Sequence, residues 1–199
     1  MKEYLDYLKN KYETKDFIKD DPVQFPHLFE DDIKNLEIIG FIASIFAFGK
    51  REAFISKLNR LLLIMNHDPY GFILNFEKYE NKLDGFIYRF YKDSDIKTLF
   101  FILHKLYKKG IKLGDLFYEN KNSDVTKMLQ GVYDCLHNLN YNVSTQGFSF
   151  MLSNPKKGGA NKRMNMFLRW MVRGGVVDFG IYDFIDKKDL IIPLDVHAG

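Results

Sequence analysis

The feature that most constrains the fold is an uninterrupted apolar run over residues 38–48. A helix that is apolar on every side has no face for solvent, so it must be buried among other elements. Asp31 and Asp32 precede the run, and carboxylates are favourable at a helix N-terminus. Gly49 follows it and breaks the pattern. The sequence therefore predicts a central buried helix, and its apolar run is too short to span a bilayer.

Most of the remaining chain places apolar residues at helical spacing, and no segment shows a convincing strand alternation. The further predicted helices cover residues 3–18, 54–65, 68–76, 82–91, 93–110, 123–136 (with Ser123 as its cap), 160–173 and 177–185. Residues 20–27 and 140–157 are predicted to be irregular, and 190–192 is the one short candidate for a strand. These patterns predict an all-α protein of about nine or ten helices in a single domain over residues 1–199.

Cysteine and histidine usage excludes several classes of site. Cys135 is the one cysteine, so no internal disulfide can form, and a reducing compartment is expected. There is no CxxC pair and no HExxH motif, and the five histidines are dispersed, so we expect neither a metal cluster nor a cofactor. The charged N-terminus lacks the apolar segment of a signal peptide, which favours a cytoplasmic protein without a membrane partner.

The positive charge of the chain is concentrated near its C-terminal end. The net charge is only +3, but no acid occurs between residues 156 and 173. The cations in that stretch are Lys156, Lys157, Lys162, Arg163, Arg169 and Arg173. Such a cluster can be an ordinary solvated helix face, or it can be a surface that binds phosphates.

A glycine-containing turn lies inside this basic stretch. Residues 157–160 include Gly158 and Gly159, which adopt positive φ at little cost. The free N–H groups of such a turn, together with the start of the next helix, form an anion site. A plain connecting turn has the same sequence signature.

Two further residues are candidates for catalysis. Lys162 is predicted in the first turn of its helix, where neighbouring cations and the helix N-terminus lower the pKa of a lysine, and a neutral amine is a nucleophile. Asp195 follows an apolar run stopped by Pro193 and could hold a carboxylate beside a reacting carbon. The alternatives are a solvated surface lysine and a helix-capping aspartate. Three candidates for a base-binding pocket are Phe48, Trp170 and His197, although the two aromatic residues equally suit a core.

Several long motifs carry a resemblance over essentially the whole chain. They occupy residues 21–27, 40–43, 46–50, 162–173 and 191–197, and they resemble a bacterial family of unknown function. That family is similar to the helix-hairpin-helix DNA glycosylase superfamily, because residues 193–197 resemble its Pro-Val-Asp-Thr-His motif and a turn-helix stands in the hairpin position. The spacing of Lys162 and Asp195 is most like that of the archaeal 8-oxoguanine glycosylase branch.

The resemblance implies a two-lobed helical fold and a DNA repair N-glycosylase. It implies that Lys162 attacks the sugar as in bifunctional members, giving lyase activity, and that Asp195 is the catalytic acid. It also implies that Lys156, Lys157, Gly158, Gly159, Arg163 and Arg169 bind backbone phosphates. Damaged duplex DNA is the implied partner, of a protein expected to be a monomer. Since the chain stops just after Asp195, we expect the natural protein to continue beyond residue 199.

The hairpin itself departs from the pattern of the superfamily. Its usual Leu-Pro-Gly-Val-Gly-Arg-Lys form is replaced here by residues 154–162, which carry two extra lysines. Two other functions therefore stay open at the level of sequence. One is a non-catalytic nucleic-acid-binding protein that kept the fold, and the other is a helical scaffold that binds no nucleic acid.

Overall fold

The computed structural model describes residues 2–122, 124–140 and 145–192. These residues form twelve α-helices: α1 (Lys2–Tyr12), α2 (Lys15–Lys19), α3 (Gln24–His27), α4 (Ile33–Phe46), α5 (Arg51–Ile64), α6 (Pro69–Leu74), α7 (Phe76–Tyr79), α8 (Asp93–Lys108), α9 (Leu113–Glu119), α10 (Val125–Asn138), α11 (Gln146–Met151) and α12 (Lys162–Arg173). Short 3-10 helices cover Glu80–Leu83, Pro155–Lys157 and Lys187–Asp189. Within the described ranges there is no strand, and an isolated bridge joins Tyr88 and Tyr91. The all-α class is confirmed.

Helix α4 is the buried centre that its sequence predicts. The Asp32 side chain caps it by accepting hydrogen bonds from the N–H groups of Lys34 (3.1 Å) and Asn35 (3.2 Å). Every residue from Asn35 to Phe46 is buried. Helices α3 and α12 pack directly against it. Gly40 allows the close approach of α12, because a Cβ atom at that position would lie only 3.3 Å from Met171 Cε.

The other long helices enclose α4 through one shared core. Helix α8 packs against α6 and α11, and α6 also contacts α4. The predicted Asp68-Pro69 start of α6 is confirmed, since Asp68 accepts a hydrogen bond from the Gly71 N–H at 2.9 Å. Helix α8 begins at Asp93 as predicted and ends at Lys108, two residues before the predicted stop at Gly110. The buried apolar side chains of these helices form one contiguous cluster.

The predicted helix over residues 82–91 is wrong. After the 3-10 helix at 80–83, the chain turns at Gly85 (φ 67°) and again at Arg89 (φ 54°). Phe86 and Tyr88 both pack on Phe46, at ring-centroid distances of 6.3 and 5.5 Å. Packing of these alternate aromatic rings on α4 stabilises an irregular backbone here in place of the predicted helix.

The predicted helix over residues 177–185 is also wrong. This segment runs back over the end of α12 without regular structure. The Phe179 N–H donates to the Trp170 carbonyl at 2.8 Å, and the Tyr182 N–H donates to the Met171 carbonyl at 2.8 Å. The returning chain thus satisfies helix-end carbonyls that would otherwise lack partners.

Several shorter boundaries also differ from the prediction. The helix over 3–18 divides at Thr14, whose side chain caps α2. The segments predicted to be irregular contain the short helices α3 and α11, and α9 was not predicted. Ser123 lies outside the described residues, and Asp124 caps α10. Residues 190–192 do not form a strand.

A buried carboxyl group makes the stability of this core depend on pH. Glu37 is 2% exposed, and its side chain accepts hydrogen bonds from the Gly114 N–H (3.1 Å) and the Tyr107 hydroxyl (3.3 Å). Burial raises the pKa of Glu37, and these hydrogen bonds oppose the rise only in part. A raised folded-state pKa means that the folded protein holds its proton more tightly than the unfolded chain.

We therefore expect Glu37 to destabilise the fold as pH rises from its unfolded pKa through its folded pKa. We compare Glu37→Gln with the wild type by urea denaturation across pH 4 to about pH 8. The free energy of unfolding of Glu37→Gln, relative to that of the wild type, should increase as pH rises. The exposed Glu119→Gln variant is the control for the loss of one carboxylate from the surface. Parallel curves for Glu37→Gln would contradict the assignment.

Candidate nucleic-acid interface

Helix α12 carries the basic stretch on a strongly amphipathic helix. Its apolar side packs on α4, with the Phe167 ring 5.4 Å from that of Phe41. Trp170 belongs to this buried side and is 1% exposed. The structure therefore places Trp170 in the core and not at the rim of a pocket, because its spacing from Phe167 keeps both residues on the face turned towards α4.

The turn before α12 is held in place by polar side chains. The Lys156 N–H donates to Asn154 Oδ1 and to Gln130 Oε1, both at 3.0 Å. The Lys157 N–H donates to the Asn154 carbonyl at 3.1 Å. Gly158 takes a left-handed conformation (φ 74°), as the sequence predicts for a glycine in this turn. The two lysine side chains are thereby carried on a fixed backbone.

The second half of the turn is organised by Asn161. This residue is left-handed (φ 45°), which places the start of α12 at Lys162. Its side chain accepts a hydrogen bond from Ser153 Oγ and donates one to the Gly159 carbonyl, both at 2.9 Å. It makes no capping hydrogen bond to α12. The positive end of the helix dipole is therefore not offset by a side-chain cap.

Only part of the turn backbone is available to an anion. The Gly158 N–H already donates to the Pro155 carbonyl at 3.2 Å, so the predicted use of this N–H by a phosphate is not supported. Among the described residues, the N–H groups of Gly159 and Ala160 have no hydrogen-bond partner. Both residues are exposed, as are Lys156, Lys157 and Lys162. These five residues form the candidate interface, which we call the lysine turn.

Arg163 is used differently from the neighbouring lysines. Its guanidinium lies over the Phe150 ring at 3.8 Å from the centroid, and Nη2 donates to the Phe150 carbonyl. Burial lowers the pKa of Arg163. The side chain points into an aromatic cluster and is not part of the lysine turn.

Arg169 and Arg173 are engaged at the opposite end of α12. Their Nε atoms lie 3.1 and 3.3 Å from Asp178 Oδ2. Arg173 also contacts Glu13, with Nη2 3.5 Å from Oε2. Asp178 is buried, and that burial raises its pKa although the arginines lower it. The predicted phosphate-binding role of Arg169 therefore competes with an internal ion pair.

Phe48, a predicted pocket residue, lies in an aromatic cluster at the surface. Its ring centroid is 5.3 Å from that of Phe90 and 5.2 Å from that of Phe150. Arg89 and Arg163 lie over the Phe48 ring, at 5.8 and 6.0 Å. The five residues come from four segments of the chain: the residues that follow α4, the irregular segment over 84–92, α11 and α12.

The sequence did not identify three members of this cluster. Phe90 falls in the segment wrongly predicted to be helical, as does Arg89, and Phe150 falls in one predicted to be irregular. No periodic pattern links them, since only the tertiary fold brings these segments together. Asp195 and His197 lie outside the described residues, so their predicted places beside Lys162 stay predictions.

Neither a metal site nor a membrane-spanning element is found in the described part of the chain. No group of three or more histidine, cysteine or acidic side chains there could hold a metal ion. No helix there combines the length and the apolar character needed to cross a bilayer.

The fold and this site define an all-helical protein with a basic turn ahead of an amphipathic helix. The chain belongs to a family described as proteins of unknown function (DUF2400), which matches residues 21–199. No curated protein and no solved structure matches it.

Proposed function

We propose that this protein binds DNA through the lysine turn and acts there as a base-excision N-glycosylase with lyase activity. The observation that carries the proposal is the lysine turn itself. Three exposed lysines and two unused N–H groups lie close together in sequence at the N-terminal end of α12. Their backbone is fixed by hydrogen bonds that the Lys156 N–H donates to Asn154 and Gln130 and that the Asn161 side chain donates to the Gly159 carbonyl. A polyanion gains from such a site because exposed cations and free N–H groups are carried on one fixed turn.

The proposed chemistry uses the amine at the start of α12. Lys162 Nζ attacks C1′ of a nucleotide whose damaged base has been flipped out of the stack. The Nζ–C1′ bond forms, and the glycosidic bond breaks with its electron pair leaving on the base, which takes up a proton. Asp195 stabilises the positive charge that develops at C1′. The amine then loses a proton and the C1′–O4′ bond breaks, with O4′ taking up a proton, which gives the Schiff base at C1′. Loss of a proton from C2′ of the Schiff base then expels the 3′ phosphate with its electron pair.

The phosphate contacts in this proposal differ from those that the resemblance implies. Lys156, Lys157 and Gly159 remain in the proposed contact surface. Arg163 and Arg169 are left out because Phe150 and Asp178 already engage their guanidinium groups. We therefore expect a compact footprint of about three phosphates.

Neutralising the lysine turn should weaken duplex binding in a salt-dependent way. For a variant with Lys156→Gln, Lys157→Gln and Lys162→Gln, the slope of log affinity against log salt should fall by about 1 to 3, since each lost phosphate contact removes about 0.9. Fluorescence anisotropy with a labelled duplex at several salt concentrations measures this.

The chain offers a matched control for loss of charge. Lys187 and Lys188 form a second exposed lysine pair on a 3-10 helix, and Lys188 is paired with Asp186 at 2.8 Å. Replacing both by Gln should leave the slope close to that of the wild type. Equal effects of the two changes would contradict the lysine turn as the binding site. Duplex binding that needs the turn but yields no product on any lesion would favour the non-catalytic alternative.

A further inference from the structure

The aromatic cluster beside the lysine turn has features of a binding surface. We call Phe48, Phe90, Phe150, Arg89 and Arg163 the aromatic platform. Phe90 is 43% exposed and Phe150 is 37% exposed. Their rings meet edge to face, with centroids 4.6 Å apart at 82°. Two large apolar rings are thus held at the surface in a fixed mutual orientation.

The platform is rigid because the backbone beneath it is anchored. The Tyr88 hydroxyl donates to the Phe48 carbonyl, and the buried Tyr91 hydroxyl donates to the Ile45 carbonyl at 3.1 Å. The Phe48 ring packs against both tyrosines, at 4.9 Å from each centroid. A ligand would meet rings that are already ordered, so binding would cost little conformational entropy.

Within the residues that the structure describes, the two arginines of the platform have no acidic partner. In the described part of the chain neither Arg89 nor Arg163 lies within ion-pair distance of a carboxylate. Arg163 Nε is buried without a hydrogen-bond partner. Arg89 is also exposed, so its guanidinium is open to an incoming anion, whereas Arg163 is held against the Phe150 ring.

The backbone around Arg89 is shaped to keep its guanidinium over the platform. Arg89 itself has a φ of 54°, which is unusual for a residue other than glycine. Gly49 has a φ of 85°, and a Cβ atom there would lie 2.7 Å from Arg89 Nη1. The absence of that atom leaves the space that the guanidinium occupies.

We propose that the aromatic platform binds an unpaired nucleotide of DNA, with the base stacked on the Phe90 ring, which the perpendicular Phe150 ring supports from the side, and with its phosphate held by Arg89. Aromatic faces together with cations are the combination that binds single-stranded nucleic acid without sequence preference. Arg163 directly follows Lys162, so the platform begins where the lysine turn ends. The inference deepens the proposed function and rests on it only for the choice of DNA.

The test is the affinity of a labelled short oligothymidylate, compared with an abasic strand of equal length. Phe90→Ala should weaken oligothymidylate binding by about 5- to 150-fold, as expected for one lost stacking contact. Phe150→Ala should weaken it less, because this change removes only the ring that supports Phe90. Binding of the abasic strand and of a duplex should stay at the wild-type level, because neither offers an unpaired base. Melting temperatures confirm that each variant is folded.

Tyr118→Ala supplies the matched control. Tyr118 is 49% exposed, has Lys121 over its ring at 4.2 Å, and packs against Phe184 and not against the platform. Its loss should not change binding of the oligothymidylate.

Three results would overturn the proposal. They are unchanged oligothymidylate binding in both phenylalanine variants, an equal loss for the abasic strand, and tighter binding of oligouridylate, which would assign the platform to RNA. Failure of the lysine turn is distinguishable from these, because it shows as duplex binding that does not respond to lysine neutralisation.

Discussion

Lys162→Gln is expected to eliminate the covalent adduct that borohydride traps between this protein and duplex DNA containing an abasic site. The abasic aldehyde condenses with Lys162 Nζ, water leaves, and borohydride reduces the C=N bond to a stable amine. This substrate needs no knowledge of the lesion, because the base is already absent. Gel electrophoresis measures the adduct, and mass spectrometry of the peptides should locate it at Lys162.

The neighbouring Lys157→Gln variant separates loss of the nucleophile from loss of charge. Both changes remove one cation from the lysine turn, but only Lys162→Gln removes the proposed attacking amine. Lys157→Gln should therefore keep the adduct, with weaker binding. Asp195→Asn should slow adduct formation by about 10²- to 10⁴-fold if its carboxylate assists the reaction. Trapping that is equal in Lys162→Gln and the wild type would refute the lyase mechanism.

Gly180→Ala is expected to be the most destabilising single change in the segment that follows α12. Gly180 has a φ of 66°, and an added Cβ atom would lie 2.7 Å from Gly174 Cα and 3.0 Å from Gly174 N. Backbone atoms cannot rotate away as a side chain can, so the returning chain must separate from the helix end. We expect a loss of about 2–5 kcal/mol in the free energy of unfolding from strain and overpacking together. Chemical denaturation measures it.

Gly85→Ala isolates the contribution of the contact. Gly85 has nearly the same φ, 67°, but no atom of the described residues lies within 4 Å of its added Cβ atom. Only the strain of the left-handed conformation remains there, which costs about 1–2 kcal/mol. If the two variants lose the same stability, the close approach of Gly174 and Gly180 does not contribute.

The parts of the fold that were predictable are those in which local chemistry and burial agree. The apolar run in α4 is stable only in the buried core. Asp32 and Asp68 cap helices at the positions that the sequence indicates. The helices predicted over residues 82–91 and 177–185 are wrong because local pattern and tertiary packing disagree there. Their apolar residues satisfy a helical pattern, but contacts with Phe46 and with the end of α12 stabilise irregular backbone instead.

The candidate site was predictable only where its residues are neighbours in sequence. The lysine turn lies within residues 156–162, so the sequence alone shows that its lysines and glycines are close to one another. The aromatic platform is assembled from separated segments, and Gln130 reaches the turn from α10. A single sequence contains no pattern that predicts contacts between such separated segments. It also could not predict the ion pair between Asp178 and Arg169.

The ion pairs of Arg169 and Arg173 give α12 an electrostatic direction. Asp178 and Glu13 engage the two arginines near one end of the helix, whereas the other end carries exposed lysines and the positive end of the helix dipole. A long polyanion approaching from solvent would therefore be drawn to one terminus and not along the whole length of the helix. That asymmetry would bring a polyanion to the N-terminal end of α12 before any base is recognised.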